Sequence, residues 1–491
     1  MTNSGRRPLA KPLAAAVLGA CLAGCYTTRP ADGGGQTSFA GERVVRAADI
    51  AVPAGYRIEP IARGLTFPTG VAFDAAGVPH VVESGYSYGE VWTVPRLLRI
   101  ERDGSTREIA RGDRNGPWTG VAFANGSFYV AEGGELEGGR ILRIQPDGRV
   151  SAIVSGLPSV GDHHTNGPAI GPDGKIYFGQ GTATNSGVVG EDNAQFGWLK
   201  RQPDFHDIPC QDITLTGQNF ESADPIRPAG GRATTGAFSA FGTPTRAGQV
   251  ISGRVPCNGA IMRVAPEGGT VELVAWGLRN PFGLAFAADG QLYVTENAFD
   301  DRGSRPVWGA GDVLWRITPG SWYGWPDHAE GQSVTKSDFK PPGKPQPLAL
   351  LARPPGTPPR PAAILGVHAS ANGVDFSRSA AFGHVGRAFI AEFGDQSPTV
   401  GKVLHPVGFR VVTVDTGNGR IEDFAVNRGE RNGPASKIGG GGLERPLGLR
   451  FSPDGQSLYL VDFGVLLMSE KGPAPQQRTG VLWRVAREGR P

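Results

Sequence analysis

Five places in the sequence carry side chains able to do chemistry together. Asp162-His163-His164 sets two imidazoles beside a carboxylate, and an imidazole oriented by an acid is a usual protein base near neutral pH. Arg279-Asn280 and Arg445 offer guanidinium and amide donors, which suit an anionic planar ligand with a base beside it. Glu296, followed by Asn297 and Ala298, and the later Asp312 add oxygen atoms. These groups are far apart along the chain, so their meaning depends on the elements that carry them.

Those elements repeat. A short strand around G-x-A-F, a D-G-type turn and an aliphatic or aromatic strand ending in an acid or Gln recur six times. The copies are Phe67–Glu83, Pro117–Glu132, His164–Gln180, Asn280–Glu296, Ser370–Glu392 and Arg445–Asp462. Each copy is followed by a second hairpin that opens with an I-L-R-I-like strand, such as Ile141-Leu142-Arg143-Ile144 or Val481-Leu482-Trp483-Arg484-Val485. Two hairpins per copy make a four-stranded blade, so the sequence predicts an all-β, six-bladed propeller. The sixth copy lacks a last strand. The segment 55–65 resembles the strands that close other blades, and it is expected to complete the ring from the N-terminal side.

Equal phase in a propeller means similar radius and height. Aligned on the glycine of the first strand, the position three residues earlier holds Phe67, Pro117, His164, Asn280, Ser370 and Arg445. One residue further back lie Thr66, Gly116, His163, Arg279, Ala369 and Glu444. His163, His164, Arg279, Asn280 and Arg445 are therefore expected to converge on the axis from three blades. The strand ends contribute Glu83, Glu132, Gln180, Glu296, Glu392 and Asp462, whose simplest use is to tie each strand end to a neighbouring turn.

Composition agrees with short strands joined by tight turns. Gly 75 and Pro 41 make up 116 of 491 residues, and only 19% of residues are charged, which excludes a helical bundle or coiled coil. Residues 1–24 hold Arg6, Arg7 and Lys11 and no acid. Without them 46 basic residues face 46 acidic ones, so nothing favours nucleic acid as a partner. The same stretch reads as an export signal: a basic start, an apolar run too short to span a bilayer, then Leu22-Ala23-Gly24-Cys25. That tetrapeptide resembles the bacterial lipoprotein cleavage site, which implies lipidation of Cys25. The protein is then expected on the periplasmic side of the cell envelope, held to the membrane by this lipid alone. Tyr26 in place of Asp leans towards the outer membrane.

Residues 25–47 read as a flexible tether and 48–491 as the propeller. An insertion at about 183–256 and a Pro-rich loop at about 331–365 interrupt the repeats and are candidate binding walls. Cys21 leaves with the signal and Cys25 takes lipid. Cys210 and Cys257 remain, suited to a disulfide in an oxidising compartment.

The chain resembles the soluble PQQ-dependent glucose/sorbosone dehydrogenase family over roughly residues 55–487. Three segments carry the likeness: Gly156–Gly174 around the histidines, Gly277–Phe286 (GLRNPFGLAF), and Glu296 to Pro326 with Gly311-Asp312 and Tyr323-Gly324-Trp325-Pro326. The resemblance implies His163 as catalytic base, with His164 the competing choice, and Arg279 acting on the cofactor. It also implies cofactor contacts from Arg279, Asn280, Glu296, Asp312 and Arg445, and Ca²⁺ held by the backbone carbonyls of Asn297 and Ala298. The expected reaction is oxidation of a sugar hydroxyl, with hydride passing to the quinone and electrons then to an external quinone or cytochrome. The sequence departs from the family's pattern at Leu447, where a second arginine would stand, and offers no secure match for its cofactor lysine. Two other readings are a calcium-dependent propeller lactonase, with Glu83, Glu132 or Glu392 as metal ligands, and a non-enzymatic envelope-binding propeller.

Overall fold

The computed structural model describes Met1 and residues 33–87, 91–227, 230–469 and 472–488. The signal segment and Cys25 lie outside these residues. Six antiparallel sheets, five of four strands and one of five, are arranged as propeller blades. Blade 1 runs Pro68–Phe73, Pro79–Glu83, Arg96–Ile100 and Thr106–Arg111 from the axis outward. Blade 2 is Trp118–Ala124, Ser127–Glu132, Gly139–Ile144 and Val150–Leu157. Blade 3 is Thr165–Ile170, Ile176–Gln180, Ala260–Val264 and Glu272–Trp276. Blade 4 is Asn280–Phe286, Leu292–Asn297, Gly311–Arg316 and Ala363–Val367. Blade 5 is Ala371–Phe376, Ala388–Glu392, Arg410–Asp415 and Arg420–Asn427. Blade 6 is Pro446–Phe451, Ser457–Asp462, Gly480–Arg487 and the N-terminal Tyr56–Leu65.

Closure is as the repeat count predicts: Ile58 pairs with Val485 and Arg63 with Val481. The strand Ile50–Ala51 extends blade 5 by a fifth strand, which the sequence did not announce.

The six innermost strands touch in a closed circuit, and the repeated glycine explains how. A Cβ on Gly120 would lie 2.3 Å from the carbonyl of Gly167, and one on Gly283 would lie 2.0 Å from that of Asn372. Only a residue without a side chain lets neighbouring backbones approach so closely. Further out, the second strands are packed on both faces. Ser127–Glu132 is buried throughout, whereas the outermost strand Thr106–Arg111 is exposed except around Ala110. Apolar clusters therefore lie between blades, such as Val82 and Leu97 against Val121, Val130 and Leu142.

The acids at strand ends have structural tasks. Glu83 accepts the Thr66 backbone N–H and pairs with Arg96. Glu132 accepts Trp118 Nε1 and Asn115 Nδ2, and Glu392 pairs with Arg410. Glu296 accepts the Arg279 backbone N–H and Trp315 Nε1, so it props Arg279 from behind and does not itself line the axial cavity. Burial pushes its carboxyl up to about 7.

The insertion forms two short helices, Glu191–Gln195 and Trp198–Arg201, a hairpin of Asn219–Ala223 with Arg232–Gly236, and a two-residue ladder of Ile213–Thr214 with Val250–Ile251 that encloses it in sequence, and the Cys210–Cys257 disulfide is present. The Pro-rich loop packs against it, with the Ala352 N–H donating to Thr214 O and Thr216 N–H to Leu350 O. It does not reach the axial cavity, contrary to its expected role as a wall.

Candidate active site

First strands begin, and second strands end, on one face of the disc. A cavity opens there on the axis. Thr69, Thr119, Asn166, Phe282, Asn372 and Leu447 line it, one from each blade, along with His163, His164, Arg279, Asn280, Asp312 and Ala298. That ring stands one residue before the repeated glycine. It shares its side of the strand with the ring three residues before, because side chains alternate with period 2. Only four members of the outer ring (Pro117, His164, Asn280 and Ser370) reach the cavity.

His163 is set by backbone pairing across the mouth of blade 3. Its N–H donates to Thr182 O, and Gly181 N–H donates to His164 O. The His163 ring Nδ1 lies 2.9 Å from the same Thr182 carbonyl and 3.1 Å from Thr182 Oγ1. A carbonyl can only accept, so Nδ1 carries the hydrogen and Nε2 presents a lone pair. Burial holds the imidazole well below its ordinary value, and the charges of Arg279 and Arg302 add to this. His164 also lines the cavity, with Nδ1 3.3 Å from Ser159 O and its pKa lowered by burial to about 4.

Asp162 does not orient the His163 imidazole, contrary to the sequence reading. Its carboxylate accepts Asn193 Nδ2 and Trp198 Nε1 from the insertion and pairs with Arg302. The orienting group is the Thr182 carbonyl, which a sequence motif of side chains cannot display.

Arg279 is buried and held in place by its neighbours, with one N–H on each Nη beyond the bonds that hold it. Its Nε donates to Asn185 O, Nη1 to Asn297 O at 3.3 Å and Nη2 to Asp300 Oδ2 at 2.6 Å. Asn280 bridges Asn297 Oδ1 and Asn166 Nδ2. Asp312 accepts the N–H groups of Ala298 and Ala371 at 2.9 Å each, so it shapes the segment Asn297-Ala298 that lines the cavity.

Sequence reasoning missed Asp300 and Arg302, although the run Asp300-Asp301-Arg302 directly follows the strand end. Arg302 pairs with Asp162 at 2.8 Å, Asp192 at 2.5 Å and Asp300 at 3.0 Å, and its guanidinium lies 4.5 Å from the Phe196 ring centroid. Burial tends to raise the Asp300 pKa, but Arg279, Arg302 and His368 outweigh it and hold the group below its ordinary value.

Arg445 is the main correction. It stays out of the cavity, its Nη1 donating to the carbonyls of Gly394 and Asp395 at 3.1 Å each, with its charge over the rings of Phe393 and Phe409. In place of that charge the cavity has an apolar wall of Phe282, Phe393, Leu447 and Phe463. Glu83, Glu132 and Glu392 do not line the cavity either, which removes the metal ligands a lactonase would need there.

No protein-family model and no curated protein matches this chain. Among solved structures it is similar to the holo form of the pyranose dehydrogenase PQQ domain from Coprinopsis cinerea, at 16% identity and TM-score 0.53, covering 92% of this chain and 100% of that one. It is also similar to the PQQ-bound aldose sugar dehydrogenase from Streptomyces coelicolor, at 16% identity and TM-score 0.50, covering 89% and 99%. A calcium structure of a Trichoderma reesei carbohydrate-active enzyme of family AA12 shares 15% identity at TM-score 0.53, covering 91% and 99%. At these identities what is shared is the fold, extended over about nine-tenths of this chain.

Proposed function

We propose that the axial cavity is the active site of a sugar dehydrogenase using a quinone cofactor of the PQQ type with Ca²⁺. One observation carries the reading: His163, fixed through Nδ1 and with no hydrogen-bond partner on Nε2 among the described residues, lines a cavity shared with Arg279 and Asn280. Two of the similar structures hold PQQ and one calcium, which supports the same reading.

The lining fits such a cofactor at its quinone end. Arg279 and Asn280 would hold it there, and the carbonyls of Asn297 and Ala298 would take the cation. Asn372 Oδ1 is buried without a hydrogen-bond partner among the described residues, as a site built for a polar ligand requires. At the carboxylate end Leu447 replaces a cation, and Arg302 of blade 4 is the second positive group instead. Two arginines against Asp162, Asp300 and Asp312 give these five side chains a formal charge of minus one. An acidic ligand therefore needs the divalent cation with it.

Held there, such a quinone would supply an acceptor for the hydride of the substrate carbon. The chain's part is to take the hydroxyl proton on His163 Nε2 and to keep that nitrogen unprotonated beforehand, which burial and the two arginines do. Thr69, Thr119, Asn166, Ser370 and Gln396 line the cavity together with Phe196, Phe282, Phe393 and Phe463. That mixture suits a polyol with apolar C–H faces, hence a sugar. Electrons then pass to an external acceptor.

The test is titration of the purified protein with PQQ and Ca²⁺, followed by a panel of aldoses with an artificial acceptor. Sugar-dependent reduction lost in His163→Ala supports the reading. No binding of PQQ at millimolar Ca²⁺ overturns it.

A further inference from the structure

The segment 33–49 has the composition of a linker but is docked. Gly34 N–H donates to both carboxylate oxygens of Asp395 at 3.1 and 2.9 Å, and Lys437 Nζ donates to Gly33 O at 2.6 Å. Gln36 O accepts the Met468 N–H, and its side chain pairs with Ser436 Oγ. Arg43 is buried, donating to Thr479 O and Gly442 O and pairing with Asp462. The glycines are there for fit: a Cβ on Gly34 would lie 2.2 Å from the Phe409 ring and one on Gly35 2.6 Å from Met468 Cβ. This corrects the expectation of a flexible tether for the described part of residues 25–47.

Every contact of residues 33–43 falls on the cavity face. Asp395 lies between Gly394 and Gln396, both of which line the cavity. Large apolar side chains are also exposed among the loops of that rim: Val94 at 37%, Leu136 at 39% and Leu404 at 63%. Elsewhere among the described residues, Val385 is exposed in a turn of the opposite face, Leu348 and Ile364 in and just after the long connection of blade 4, and Ile226, Val250 and Val255 in the insertion.

We propose that residues 33–49 are a strap that turns the mouth of the cavity towards a lipid bilayer. The inference rests on acylation of Cys25 and does not depend on the reaction proposed above. Seven residues lie between Cys25 and Gly33, so the eight steps from one to the other, at about 3.5 Å each, reach at most ~28 Å. A short leash from a docked strap keeps the cavity face near the membrane, where Val94, Leu136 and Leu404 meet the headgroup region.

The experiment uses the full-length acylated protein on phosphatidylethanolamine/phosphatidylglycerol vesicles carrying a headgroup nitroxide. A fluorophore is placed at Leu404→Cys on the rim or at Ala75→Cys in an exposed turn of the opposite face. Quenching is expected to be several-fold greater at 404. The difference should collapse when 20 Gly/Ser residues are inserted between Thr28 and Arg29. Equal quenching at both sites, a difference that survives the insertion, or an N-terminal peptide without acyl mass each overturns the proposal. No turnover is measured, so failure here is separate from failure of the dehydrogenase reading.

Discussion

The Nδ1 of His163 lies 2.9 Å from the carbonyl oxygen of Thr182, a group that mutation of side chains cannot remove. The tautomer is thus fixed by the fold itself, and Nε2 is committed to accepting a proton. His163→Ala is expected to lower kcat by about 10²–10⁴, the usual contribution of a positioned base. Burial with Arg279 and Arg302 depresses the folded-state pKa, so the base stays neutral as pH falls through 6.5. The kcat/KM profile should accordingly be flat from pH 8 to below 6, with its acid limb lower still. A limb centred at 6.5 would contradict this account of the site.

Arg302 joins three carboxylates from three different segments, Asp162, Asp192 and Asp300. Removing one cation from such a buried group leaves uncompensated negative charge, which typically costs about 3–5 kcal/mol. Arg302→Met should lose that much stability in urea unfolding at pH 7. Part of the loss should return on acidification, because Asp192 already titrates near 6 in the intact network and would protonate more readily without its partner. A loss independent of pH would mean that packing against Phe196, and not charge, is what Arg302 supplies.

Much of this arrangement was readable from the sequence. The six in-phase copies give the propeller, and the residues ahead of the repeated glycine give His163, His164, Arg279 and Asn280 on the axis. The ring at Thr69, Thr119, Asn166, Phe282, Asn372 and Leu447 was equally available from strand alternation, since it lies two residues from a ring already chosen. Arg445 was misplaced for a different reason. Phase sets where its Cα stands, but Phe393, Phe409 and the carbonyls of Gly394 and Asp395 decide where its guanidinium goes, and these come from another blade. Gly33-Gly34-Gly35 shows the same limit. Glycine reads as flexibility in composition, yet here the missing side chain is a packing requirement.

Leu447 stands in the apolar wall where a charge would complete an anion site. Leu447→Arg is expected to tighten binding of PQQ about tenfold and to weaken its requirement for Ca²⁺, because the lining then no longer carries net negative charge. In the unmodified protein, chelation of divalent cations should abolish binding. Fluorescence titration at several Ca²⁺ concentrations measures both effects. Unchanged affinity in the variant would show that the acidic end of the cofactor does not lie against blade 6.

Glu135 is buried beside Arg201, and desolvation, opposed in part by that arginine, pushes its carboxyl up to about 8. A folded-state pKa raised above the unfolded value of about 4.3 means that its contribution is complete at low pH. That contribution is lost as pH rises through 8, because ionisation is then easier in the unfolded chain. Asp207 and Glu444, each pushed by burial to about 7, act in the same direction. Glu135→Gln should therefore leave stability unchanged near pH 4 and raise it relative to the parent at pH 9. Arg201 can turn to water when its partner is neutral, since its side chain is 40% exposed. Urea midpoints at the two pH values decide the matter: a variant less stable at pH 9 would mean that the ion pair outweighs the cost of burying the charge.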